Sequence, residues 1–223
     1  FLRAEPMVLV LSLLKAGLAV AGGIMTLIPL MASQMLSVSL SLGIGILYSA
    51  RGLGAALGPI LVKRIFGETA SVLQWAIAGA FFLKAFSYIF IAYSHNIWTL
   101  SLGVAFATLF GSIIWVFSSA LIHLSAPDHY LGRVFSFELA LLTLVMGCSN
   151  WGVGYAVDGW DMNVNQIALW MAGLVIIPGI LWSGFLVFLQ NRFGQGECVG
   201  SICPVDPSGF NPNPVTGDQS TKI

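Results

Sequence analysis

The chain has 223 residues, of which 57% are hydrophobic and 8% charged, and its basic and acidic side chains balance to a formal net charge of zero. A soluble domain covers its surface with about 25% charged residues; this chain cannot, so most of its surface must face lipid. Neutrality argues against a nucleic-acid partner, and Cys148, Cys198 and Cys203 form neither a disulfide framework nor a metal signature.

A membrane helix needs about 20 apolar residues. Six segments reach that length, at 7–31, 37–61, 70–93, 97–121, 134–157 and 167–189. The expected fold class is therefore an all-α membrane protein with six transmembrane helices. Phe1 begins a charged stub with no small-residue cleavage site before the first helix, so no signal peptide is expected. The simplest expectation is a chain that starts inside a longer protein. The connections are short, which predicts antiparallel neighbours.

The first helix offers Ala19 and Gly23, four residues apart. The second repeats this spacing as Ala50, Gly54 and Gly58. A face of small residues lets another helix approach closely, and in lipid that contact drives association. The bland reading is packing; the functional one is that the face also slides. Pro178-Gly179 in the sixth helix predicts a kink.

The most polar interruption is Leu124–Glu138, where Pro127 stops a helix, Asp128 suits an N-cap and Arg133 stands at the mouth of the next apolar run. A cytoplasmic loop is expected over 126–133, and an outer loop over 158–165. Arg3, Lys63, Arg64, Arg133 and Arg192 gather on one side of the membrane, whereas the turns near Ser33, His95 and 158–161 carry no Lys or Arg. The positive-inside rule then places both chain ends in the cytoplasm. Trp98, Trp160 and Trp170 fall near the outer boundary, and Trp75 and Tyr130 near the inner one. Residues 191–223 are rich in Gly, Pro, Asn and Ser and predict a disordered cytoplasmic tail.

Four ionisable groups fall within the spans: Lys15, Arg51, Lys84 and Glu138. A basic group at the bilayer centre costs about 2.5–3.5 kcal/mol on insertion scales, so each needs a partner, water or a route to the surface. Lys15 can snorkel. Arg51 lies near the midplane, and its planar fork suits a carboxylate or an anionic ligand. Glu138, a little over one turn beyond Arg133, is a possible partner for Arg51. Asn150, Ser118, Ser119 and His123 are further polar candidates for a cavity. The structural alternative for all four charges is an ion pair or a snorkelled side chain. His-Glu-x-x-His, Gly-x-Ser-x-Gly and Walker-type motifs do not occur, so no enzyme, metal site or cofactor is expected.

Three stretches resemble the C-terminal half of a major facilitator superfamily transporter. Tyr48-Ser49-Ala50-Arg51-Gly52-Leu53-Gly54-Ala55-Ala56-Leu57-Gly58-Pro59, followed by Lys63-Arg64, resembles the eighth helix of bacterial members and its basic turn. Leu131-Gly132-Arg133-Val134-Phe135-Ser136-Phe137 resembles the loop before the eleventh helix in the drug-efflux and siderophore-exporter-like branch, with Leu131 in place of a basic residue. The resemblance covers about residues 5–190. It implies a half-domain over 1–190 built as two inverted three-helix repeats. The first, second, fourth and fifth helices would line a cavity, and the third and sixth, with Lys84, would lie outside. It further implies a missing N-terminal six-helix half, a small amphipathic substrate and export by alternating access across the cell membrane, in bacteria the inner one. The cavity or ion-pair candidates are then Arg51, Glu138, Asn150, Ser118 and Lys15, with Gly132 and Arg133 as the loop motif. A scaffold or receptor of the same fold, an intramembrane enzyme, or a homodimer of six-helix chains are the competing expectations.

Overall fold

A computed structural model describes residues 6–33, 39–66, 70–125 and 128–193. The described residues form α1 (Pro6–Val20), a 3-10 segment (Gly23–Leu27), α2 (Ile28–Ser33), α3 (Leu40–Phe66), α4 (Ala70–Ala92), α5 (Ile97–Ser125), α6 (Asp128–Trp160) and α7 (Val164–Phe193). Six spans are long and apolar enough to cross a bilayer: Leu9–Ser33, Leu40–Arg64, Ser71–Ala92, Ile97–His123, Tyr130–Trp160 and Val164–Phe188. These are the spans of a multi-pass membrane protein.

The first span departs from the single helix expected over 7–31. It breaks after Val20 and continues as the 3-10 segment and α2. The cause lies in Gly22, Gly23 and Pro29. Each glycine costs about 1 kcal/mol in a helix relative to Ala. Pro29 has no N–H, and its ring would clash with the carbonyl four residues back, that of Met25. The backbone tightens accordingly: the Gly22 N–H donates to Ala19 O and the Met25 N–H to Gly22 O, each at 3.0 Å. That shift takes from Ala21 O its ordinary donor. Tyr88 of α4 supplies the replacement, its hydroxyl donating to Ala21 O at 2.6 Å, while the Ser149 hydroxyl of α6 donates to Val20 O. Broken helices survive at membrane depth only when neighbours satisfy the freed backbone groups.

The fifth span also starts earlier than expected. α6 begins at Asp128, so the loop expected over 126–133 is helical from its third residue, with residues 126 and 127 outside the described ones. Gly132 and Arg133 are exposed residues of a helix, not of a loop. The physical reason is that nothing after Pro127 breaks the pattern, and one Gly costs a helix only about 1 kcal/mol. The outer loop expected over 158–165 shrinks likewise, because α6 runs to Trp160 and α7 starts at Val164. Asp161 takes a left-handed backbone there, φ 50°, which Asp tolerates better than most residues. The Gln166 side chain accepts from the Asn163 N–H at 3.1 Å, half of a capping box. α7 carries on to Phe193, past the expected start of the tail at 191. The rest of the tail, with Cys198 and Cys203, lies outside the described residues.

Small residues set the packing. A Cβ on Gly54 would overlap Ala105 O and the Thr108 hydroxyl, and one on Gly58 would overlap Leu109 O and the Ser112 hydroxyl. The small-residue face of α3 is therefore seated on α5. Gly23 meets Ser149 and Val153 of α6 in the same way. Pro178 lies inside an unbroken α7, where its ring fills the space left by Gly17 of α1; a Cβ on Gly17 would stand 2.8 Å from Pro178 Cβ. The Trp182 indole N–H donates to Gln74 O at 3.0 Å and ties α7 to α4. Burial is uneven. The best window of the first span is 67% buried, whereas those of α3 and α6 are 17% buried. The first span is thus the centre of the bundle, and α3 and α6 flank it with one face each left open.

Candidate functional site

Lys15 of α1 and Glu138 of α6 form a buried ion pair, their side chains 3% and 4% exposed. The Lys15 ammonium also donates to the Ser119 hydroxyl of α5 at 2.6 Å, and Ser119 donates to Trp115 O at 3.0 Å. The rings of Trp115 and Phe135 lie against the ammonium, with centroids 5.2 and 5.8 Å away, a cation–π setting. Lys15 therefore does not snorkel, and the partner of Glu138 is Lys15 rather than Arg51. The depths explain the pairing. Lys15 stands nine residues after Pro6 and Glu138 ten after Asp128, about 14 and 15 Å along their helices at 1.5 Å per residue. Arg51 stands fifteen residues before Phe66, about 22 Å from that end of α3.

Further toward the middle of the spans, a cavity of about 390 Å³ opens between α1, the 3-10 segment, α3, α5 and α6. Leu18, Met25, Trp115, Leu142 and Met146 give it apolar walls, and Arg51 and Ala55 enter it from α3. Lys84 also lines it, contrary to the outside position that the resemblance implied for that residue. The third span does lie behind α5, but Gly111 leaves a gap in α5. A Cβ on Gly111 would stand 2.7 Å from the Lys84 ammonium, so the side chain reaches the cavity past this glycine. Lys84 is 6% exposed. Its ammonium lies 5.5 Å from the Tyr88 ring centroid and 3.4 Å from Ala107 O. Arg51 is half-buried and its guanidinium sits 5.9 Å from the Tyr48 ring centroid. Among the described residues lining the cavity none is acidic.

The remaining candidates separate. Ser118 is fully buried and turns its hydroxyl to its own helix, donating to Ile114 O at 2.6 Å and Trp115 O at 3.1 Å; it is a helix-bonded serine that does not line the cavity. Asn150 keeps a buried Oδ1 that has no hydrogen-bond partner among the described residues, and it too lies outside the cavity lining. His123 packs on Phe135, ring centroids 4.8 Å apart. Sequence reasoning passed over Tyr88 and Ser149, which hold the broken span, and Gly111, which admits Lys84. The Gly22-Gly23 pair followed by Pro29 was the available signal for the break.

Comparison with known proteins returned no matching family, no similar curated protein and no similar solved structure. The functional reading therefore rests on the residues themselves.

Proposed function

We propose that the chain is one six-helix half of a secondary transporter that moves a small amphipathic molecule, most simply outward, by alternating access. One observation carries the reading: a cavity at mid-depth, bounded by a broken span, into which two cationic side chains project. Ionisable groups inside a membrane protein mark substrate or ion pathways, and discontinuous helices beside a midplane site are a recurrent transporter device. The second half would cover the open faces of α3 and α6. Both faces are smooth. Gly45, Ser49, Gly52 and Ala56 are exposed on α3, and Ser136, Ala140, Thr143 and Gly147 on α6. Small residues of this kind favour close helix–helix contact in lipid. A homologous N-terminal half or a second copy of the chain would serve.

The buried Lys15–Glu138 pair gives the bundle a fixed polar joint between α1 and α6 on the basic side of the cavity. The test is transport of an amphipathic fluorescent probe by cells expressing the natural gene product. Arg51→Ala should cut efflux by roughly tenfold, the scale of one charge-assisted contact, with expression retained. Arg51→Lys should restore it in part, because a point charge cannot replace the planar fork. Unchanged efflux in Arg51→Ala would contradict the reading.

A further inference from the structure

The chemistry of the cavity is more specific than its size. Its walls are mostly apolar, and its charged lining consists of two cations, the lining hydroxyls being bonded to their own helix. Thr108 spends its hydroxyl on Val104 O and Ala105 O, at 2.8 and 3.0 Å, and Ser112 donates to Leu109 O at 2.8 Å. The charged donors left to meet a ligand are the Arg51 guanidinium and the Lys84 ammonium. Glu138, the acid that could have neutralised one of them, is committed to Lys15. Lys84, 6% exposed and packed behind α5, is too enclosed to reach water by snorkelling, which needs a lipid-facing path. The gap at Gly111 serves to bring this charge inward. A buried charge without a counter-charge is costly, and a ligand anion would supply what the lining lacks.

We infer that the cavity binds an amphipathic organic anion, a monocarboxylate whose headgroup bridges Arg51 and Lys84 and whose hydrocarbon body lies against Leu18, Met25, Leu142 and Met146. The inference rests on the transport reading only for what the site is used for, since binding itself needs no transport. Arg51 grips both carboxylate oxygens through its fork, and Lys84 adds a second charge past Gly111. Selectivity follows from the pair: a cationic amphipath of equal length meets two like charges, and a neutral one leaves both cations unpaired.

The test is equilibrium binding of radiolabelled octanoate to the purified natural protein in a nonionic detergent, in competition with octanol and octyltrimethylammonium. Octanoate should bind and the other two should compete at least tenfold less well. Arg51→Gln and Lys84→Met should each weaken octanoate roughly tenfold or more, as expected for loss of one hydrogen bond to a charged group. Gly111→Ala supplies an independent arm. It keeps both charges and favours the helix, yet its methyl group displaces the Lys84 ammonium, so it too should weaken octanoate even if Lys84→Met fails to fold. Equal competition by all three probes, or octanoate binding unchanged in Arg51→Gln and Gly111→Ala, would overturn the inference. Charge-dependent binding without any transport would keep the site and remove the transport reading. Transport of a neutral probe without anion binding would do the reverse.

Discussion

At the scale of single residues, the partner of a charge depends on depth and helix rotation together. From the sequence, Arg51 and Glu138 could pair if the second and fifth spans touch, and the expected start of the fifth span at Val134 sets Glu138 only about one turn into it. Beginning the helix at Asp128 moves Glu138 to the level of Lys15. Neither that level, which depends on the helix starting six residues earlier than the apolar run, nor the rotation that aims both side chains inward was readable from the sequence. Removing one partner of a buried pair strands the other charge, at a cost of about 3–5 kcal/mol. Lys15→Met and Glu138→Gln should each destabilise the protein on that scale in mixed-micelle unfolding, and Lys15→Met/Glu138→Leu should recover most of the loss. Additive losses in the double variant would contradict the pairing. Tyr88→Phe removes only the bond to Ala21 O, and hydrogen bonds inside membrane proteins average about 0.6 kcal/mol, up to about 1.7. The same unfolding measurement should place Tyr88→Phe in that range, well short of the ion-pair variants.

Among the elements, length and composition made all six spans legible, because the bilayer demands about 20 apolar residues whatever the tertiary fold. Their ends were less legible, since Gly132 and Arg133 predict a loop where α6 simply continues through them. The break in the first span was legible only as a Gly-Gly pair and a Pro. Whether such a stretch breaks depends on neighbours able to satisfy the freed carbonyls, here Tyr88 and Ser149. The small-residue face of α3 was visible, but its partner α5 was not, because helix adjacency is a tertiary fact. Two glycines separate by role. Gly54→Leu should lower the melting temperature sharply in detergent, because its side chain meets α5 backbone. Gly173→Ala in α7 should leave it unchanged or raise it slightly, because a Cβ there meets nothing within 4 Å and Ala is the better helix former. Equal effects of the two would mean that α3 does not pack on α5 through this face.

For the whole molecule, six spans place their basic turns on one side. Lys63 and Arg64 close α3, and Arg133 follows the start of α6. Exposed Trp98, Trp160 and Trp170 lie at the opposite end, 69%, 67% and 67% exposed, where amphipathic rings sit at a membrane interface. With Cys148, Cys198 and Cys203 replaced by Ser, a cysteine at Asn163 should react with an impermeant thiol reagent in intact cells, and one at Gly132 only in inverted vesicles; the reverse pattern would invert the orientation. The proposed transport requires that the cavity between α1, α3, α5 and α6 be reached alternately from the two sides. Ala55 lines that cavity and is exposed within it. The most direct measurement is therefore the labelling of Ala55→Cys, in the same cysteine-free background, by a small impermeant thiol reagent applied first to intact cells and then to inverted vesicles. Alternating access predicts reaction from both sides, with rates that shift in opposite directions when octanoate is added. Reaction from one side only, or from neither, would contradict it.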